Sequence, residues 1–301
     1  MTRLIGCMMA MNVADILDLS LGSLRGEVDD LVLVDGGSTD GTMVVARGIG
    51  ATVIESKWPD NNSVQRQVYL DYALALARDD DDTWALVLDA DEILTGGSPK
   101  AAIADLNRHS LDFAMLPRKW LVDPPQGLSY LSSYPHYPDR QLRLFRLRPS
   151  LRYTGTIHEV LHGVGSGRDV DTPTILHLDL LRAGYDHRAR KVRRYDESEP
   201  GSGLPRFYLF ERYGFTVQPL QSDAYIQPLL ARIKAITLVT LTPDDLRGKG
   251  VQYRFMRRPL DLSDWVTLKA RRLPGRLKRV GRTTVEWIRK VQGAGLKRDA
   301  H

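Results

Sequence analysis

The chain has 301 residues, 43% hydrophobic, 26% charged and 8% aromatic, an ordinary globular composition large enough for one big domain or two small ones. Its one cysteine, Cys7, excludes a disulfide framework and a cysteine-rich zinc site and fits a reducing cytoplasm, and no apolar stretch approaches the roughly 20 residues that span a bilayer. The net charge of +5 hides an asymmetry: residues 246–298 hold 16 Lys/Arg against 3 Asp/Glu, and the rest of the chain holds 26 against 34, so an acidic body carries a basic tail.

The first hundred residues alternate strand and helix signals. RLIGCMMA, in the opening MTRLIGCMMAMNVAD, predicts a first strand rather than a signal peptide. NVADILDLSLGSLRG has Val13, Ile16, Leu17, Leu21 and Leu24 at helical spacing. DDLVLVDGG is a second strand. STDGTMVVARGIG is a helix, with Ser38, Thr39 or Asp40 as its cap and Gly48 as its stop. ATVIES is a third strand. NSVQRQVYLDYALALARDD is a long helix with Val64, Val68, Leu70, Leu74 and Leu76 on one side, and TWALVLDA is a fourth strand. This alternation predicts an α/β fold, a mostly parallel sheet flanked by helices, whose ligands bind beyond the carboxyl ends of the strands. VDGGSTDGT and LDADE both fall at such ends.

Over residues 112–177 the pattern becomes a mixed sheet. DFAMLPRKWLV, RQLRLFRLRP, LRYTGTIHEVL and TPTILHLDLL read as strands, and DPPQGLSYLSSYPHYPD reads as a loop. From about Tyr185 onward the chain reads as largely helical. The division expected is a domain at 1–200, made of a nucleotide-binding half (1–97) and an acceptor half (98–200), followed by a helical basic extension (201–301).

The run at 85–88 ends in three carboxylates, Asp89, Asp91 and Glu92. Uncompensated, they repel one another and resist desolvation. An EF-hand is excluded, because Leu94 replaces the glycine and Lys100 the glutamate that its loop requires. Two carboxylates beside a nucleotide-sized crevice instead suit Mg²⁺ or Mn²⁺ holding a diphosphate. The segments VDDLVLVDGGSTDGTMVVARGIGATVIE, VQRQVYLDYALA, TWALVLDADEIL, YPDRQLRLFR and YTGTIHEVL, in that order across about residues 3–180, resemble family 2 glycosyltransferases of the GT-A fold.

That resemblance implies a metal-dependent, inverting transfer of a sugar from a nucleotide-sugar, a UDP-sugar first among donors, to an acceptor hydroxyl. It implies that Asp35 contacts the base and that Ala10, Met11 and Asn12 lead from the first strand to the nucleotide. Arg66 stands near the donor, although Gln65-Arg66-Gln67 departs from the family's Ala-Arg-Asn. Asp91 is the direct metal ligand, Asp89 faces the ribose or the metal, and Glu159 is the base that takes the acceptor proton. His177 has two readings, a third metal ligand or a core histidine.

Two rival readings stand beside this one. His158-Glu159-x-x-His162 matches a zinc hydrolase motif, which needs a helix to bring both imidazoles to one face. Gly155 and Gly163 bracket only seven residues, and Thr154, Thr156, Ile157 and Val160 favour a strand. The tail, where Trp265, Leu268, Val280 and Trp287 interleave with Lys and Arg, suits an anionic membrane surface, a nucleic acid or another polyanion; it equally suits two solvated helices broken at Pro274-Gly275. A nucleic-acid or membrane binder with a degenerate transferase site is therefore the non-enzymatic alternative. The acceptor expected is a lipid-linked glycan, a protein or a modified nucleic acid. The place expected is the cytoplasm, peripherally at the inner face of the membrane.

Overall fold

Residues 2–77, 82–124, 127–199, 204–209, 216–220 and 227–235 are described by the computed structural model of the chain. The basic helices expected past residue 246 lie outside the described residues. Strands β1 (Thr2–Ala10), β2 (Asp30–Asp35), β3 (Thr52–Glu55) and β4 (Asp82–Asp89) run parallel in the order 4-1-2-3. Between them lie α1 (Leu17–Ser20) with a 3-10 turn (Leu21–Leu24), α2 (Thr42–Ile49) and α3 (Asn62–Leu76).

Both faces of this half are covered. Leu4, Met8, Leu33, Leu86 and Leu88 pack with Leu17, Leu21 and Ala46; Ile5, Cys7, Val32, Val34 and Val87 pack with Tyr69, Leu70 and Ala73. Burial on both sides is why these strands read as continuous apolar runs rather than alternating ones.

Strand β5 (Glu92–Thr95) follows the carboxylate turn, and α4 (Pro99–Arg108) adds Ile103 and Leu106 to the first core layer. Next come β6 (Phe113–Val122), β7 (Ser129–Leu131) and β8 (Asp139–Arg146). β8 joins β4 antiparallel, with Leu144 opposite Leu86, and extends the sheet into β6. β9 (Arg152–Thr154) and β10 (Val160–His162) form a separate antiparallel hairpin. β11 (Gly167–Asp169) and β12 (Thr174–His177) both run parallel to β6, and β12 also pairs antiparallel with β5. His177 is thereby in register with both Glu92 and Trp120. The α/β architecture read from the sequence is present, with a parallel first half and a mixed second half. After β12 come α5 (Asp179–Arg182), α6 (Tyr185–Ser198), α7 (Pro205–Tyr208), β13 (Val217–Pro219) and α8 (Gln227–Ala235).

Several local expectations are corrected. The first helix is a single turn continued by a 3-10 turn. α2 has Gly41 at its cap position and ends at Gly50, whose φ of 99° allows the left-handed stop; Gly48 stays inside the helix. α3 turns Ser63, Gln65, Arg66 and Tyr69 inward, while Val64 is 51% exposed. The Pro/Tyr-rich loop contains β7, and β13 interrupts the helical C-terminal region by pairing with β7. Among the described residues no helix is long and apolar enough to cross a membrane.

Candidate active site

The carboxyl ends of the parallel strands lie level. Ala10 is opposite Asp35, Asp35 is opposite Glu55, and Met9 is opposite Asp89. Beyond β1 and β2 the loops are stitched together. Gly36 N donates to Ala10 O at 2.8 Å, and Thr39 N donates to the Asn12 side-chain oxygen at 2.8 Å. Met11 is exposed and lies beside Gly36. Asp35 is 1% exposed, and its carboxylate accepts from Gly37 N at 2.9 Å, Ser38 N at 2.8 Å and the Ser38 hydroxyl. Its oxygens close the turn of residues 36–38.

The carboxylates that end β4 are compensated by three arginines. The Asp89 carboxylate accepts from Arg66 on one oxygen and Arg143 on the other. Glu92, 0% exposed, accepts from Arg143 at 2.8 Å and Arg118 at 2.9 Å, and its other oxygen takes the Asp89 backbone N–H at 3.0 Å. Arg118 also reaches Asp139 at 2.7 Å, where Trp120 Nε1 donates as well. Burial pushes the Asp89 carboxyl up, but the Arg143 and Arg66 charges outweigh it and hold it well below the usual carboxylate range. Burial likewise opposes charge on Arg143 and Arg118, and the carboxylates around them raise both above the ordinary guanidinium range. Sequence reasoning missed this ladder, although Arg143 carried a signal: on β8 it shares a face with the buried Phe145.

Asp91 points elsewhere. Its Oδ2 lies 3.2 Å from His177 Nε2. Burial raises its carboxyl and the His177 charge and hydrogen bond lower it further, to about 2. A carboxylate oxygen and an imidazole nitrogen side by side are donor types that a divalent ion accepts. The Asp89 carboxylate is not with them, because both its oxygens are taken by arginines. Among the described residues no cluster of three His, Cys, Asp or Glu side chains has metal-ligand spacing. Of the expected trio, Asp91 and His177 stand together, and Asp89 is held by Arg66 and Arg143.

Glu159, between β9 and β10, faces the N-terminal turn of α3. Its Oε1 accepts from Arg66 Nε, and its Oε2 accepts from Asn62 Nδ2 at 3.1 Å. Arg66 is only 3% exposed and also donates to Tyr69 Oη at 3.1 Å, so it links Glu159, Asp89 and Tyr69. His158 lies in a bend and His162 in β10, where its ring nitrogen meets Thr154 Oγ1 at 2.8 Å. No helix brings the two imidazoles to one face, so the geometry that the zinc hydrolase motif requires is absent.

One cleft of about 660 Å³ is lined by Asn62, Arg66, Asp91, Glu159, His177 and Lys191, among others; Ala10, Met11, Asn12 and Asp35 are not in its lining. Lys191 pairs with Asp179 at 3.3 Å and lies over the Tyr208 ring at 4.5 Å.

No family model matches the chain. It is 31% identical over 156 residues to a TPR repeat-containing protein of Synechococcus elongatus, a match that covers 52% of this chain and 34% of that protein. The chain therefore spans about a third of the length of this curated relative. Among solved structures it is similar in path to TarS 1–349 of S. aureus, at 13% identity and a TM-score of 0.41, covering 70% of this chain and 73% of that one. It is also similar to the mannosyltransferase PcManGT of Pyrobaculum calidifontis, solved with GDP-Man and Mn²⁺, at 16% identity and a TM-score of 0.43, covering 81% and 72%.

Proposed function

We propose that the chain is a metal-dependent glycosyltransferase of the GT-A type that moves a sugar from a nucleotide-sugar, a UDP-sugar first among candidates, to an acceptor hydroxyl with inversion. The observation that carries this reading is the Asp91–His177 pair, 3.2 Å apart at the carboxyl end of β4 and in the same cleft as Glu159. The nucleoside lies over the loops of Ala10, Met11 and Asn12 and the turn that Asp35 closes. The guanidinium charge of Arg66 and Arg143 is already matched by Asp89, Glu92 and Glu159. A diphosphate entering this cleft therefore requires added positive charge, and Asp91 with His177 would hold it as Mn²⁺ or Mg²⁺. Bound there, the ion supplies Lewis-acid stabilisation of the leaving diphosphate.

The chain's own groups do the rest. Glu159 takes the proton of the acceptor hydroxyl. The acceptor oxygen forms its bond to the anomeric carbon from the face opposite the diphosphate. The bond from that carbon to the phosphate oxygen breaks, and its electron pair leaves with the diphosphate. Arg66 and Asn62 fix the carboxylate.

The test is nucleotide release by the purified protein from UDP-, GDP- and dTDP-sugars, with Mn²⁺, Mg²⁺ or EDTA, for wild type and Asp91→Ala. One nucleotide should be released only with metal, and Asp91→Ala should be slower by about 100-fold or more, the scale at which a lost electrostatic stabiliser acts. A folded wild type that releases nothing from any donor, or release that ignores both EDTA and Asp91→Ala, overturns the proposal.

A further inference from the structure

Helix α3 opens with two asparagines that do different work. Asn61 caps the helix: its side-chain oxygen accepts from Val64 N at 3.1 Å and Ser63 Oγ at 2.8 Å. The helix makes no such use of the Asn62 side chain. Its backbone N–H donates to Thr156 O at 2.8 Å, and its Nδ2 donates to Ile157 O at 2.9 Å and Glu159 Oε2 at 3.1 Å. All three bonds reach one short segment, more than ninety residues away, that carries Glu159.

One helical turn later Arg66 donates to the other oxygen of the same carboxylate. Two donors four residues apart on one helix therefore bind both oxygens of Glu159 and fix its plane. The oxygens are not equivalent. A proton arriving at Oε1 would meet a guanidinium that already donates there, whereas Oε2 faces a neutral amide. Oε1 is held by a charged donor and Oε2 by a neutral one.

We propose that Asn62 is a positioning residue, which holds Glu159 Oε2 towards the hydroxyl it deprotonates. This rests on the glycosyl-transfer reading. Asn62 acts through Glu159 and the 156–159 segment. Removing its amide leaves the carboxylate held at one oxygen only and free to rotate, while the backbone bond to Thr156 remains to hold the segment.

The test compares wild type and Asn62→Ala in nucleotide release from the same sugar donors with Mn²⁺, once with water as nucleophile and once with azide, which needs no base. UDP binding with Mn²⁺ and the melting temperature are measured alongside. Asn62→Ala should lower kcat with water by about 10- to 100-fold, the scale of a misplaced reacting group, while KM and UDP affinity stay within about 2-fold and the azide reaction is unchanged. An unchanged kcat with water overturns the inference. So does an equal fall of the water and azide reactions, which would make Asn62 a loop clamp alone. A wild type that releases no nucleotide from any donor overturns the transferase reading, and the role of Asn62 with it. A wild type that turns over beside an equally fast Asn62→Ala overturns the inference alone.

Discussion

Arg66 is the residue on which most of the site's charge balance turns. It is buried, and its guanidinium reaches Asp89, Glu159 and Tyr69 at once. Burial lowers its affinity for the proton, and the charges of Asp89, Tyr69 and Glu159 outweigh this and raise the group well above the ordinary arginine range. Removing the guanidinium takes one partner from each of two carboxylates and leaves Asp89 with Arg143 and Glu159 with Asn62. Breaking a buried pair from one side costs about 3–5 kcal/mol, and the remaining partners put this case at the lower end. Arg66→Ala should therefore lower the melting temperature by about 10 °C, using the usual conversion for a domain of this size. Arg66→Lys keeps the charge but loses the planar fork that serves three partners, so it should fall between the two. Thermal unfolding of the three proteins decides this, and equal melting temperatures for wild type and Arg66→Ala would show that the arginine carries no such weight.

The β9–β10 hairpin is the element that presents Glu159, and glycine shapes its far end. Gly163 has a φ of 84°, and a Cβ there would stand 2.4 Å from the Ser150 carbonyl oxygen. Gly163→Ala therefore meets both left-handed strain and a backbone overlap, for about 1–3 kcal/mol or more. Gly26 also has a positive φ, of 81°, but nothing lies within 4 Å of its Cβ position. Gly26→Ala should carry the strain alone, and urea denaturation should rank Gly163→Ala clearly below it. The hairpin was legible only in part: LRYTGTIHEVL read as one strand, and the chain breaks it at residues 155–159, with Thr154 and Val160 in β9 and β10 and Thr156 and Ile157 in the bend between them. The parallel half was legible because strands covered on both faces are apolar throughout. The inner face of α3 was not, since a rule that looks for apolar residues selects Val64 and passes over Gln65 and Arg66, which point inward to meet the cleft. β7 and β13 were hidden too, each three residues long and close to prolines. The arginine ladder joins residues as far apart as 66 and 143, and spacing along the chain carries no trace of such a pairing. The place of Asp91 just past the end of β4 was readable from its motif. The pairing of Asp89 with Arg66 and Arg143 was not.

For the molecule as a whole, acid stability depends on groups buried in their ionic or neutral forms. His136 is fully buried, donates from Nε2 to Phe207 O at 2.9 Å, and packs against Trp120 and Phe207, so it links the segment before β8 to α7. Burial pushes its imidazolium pKa down, and the Phe207 carbonyl recovers only part of that, leaving about 3. An unfolded chain binds this proton near 6.5, while the folded chain refuses it until about pH 3. Stability from this group is thus whole above about 6.5 and is lost as pH falls, by about 1.4 kcal/mol per unit, or about 2 kcal/mol by pH 5. Asp89 and Asp139 act lower. Their folded values are depressed, so their contribution is intact above about pH 4 and disappears only as pH falls through the folded values. The window between pH 7 and 5 therefore separates the histidine from these carboxylates. His136→Gln keeps an amide donor for Phe207 O and does not titrate. It should be less stable than wild type at pH 7, through poorer packing beside Trp120, yet lose about 2 kcal/mol less than wild type between pH 7 and pH 5. Urea unfolding of both proteins at the two pH values measures the difference, and parallel losses would show that His136 accepts its proton in the folded state as readily as in the unfolded one.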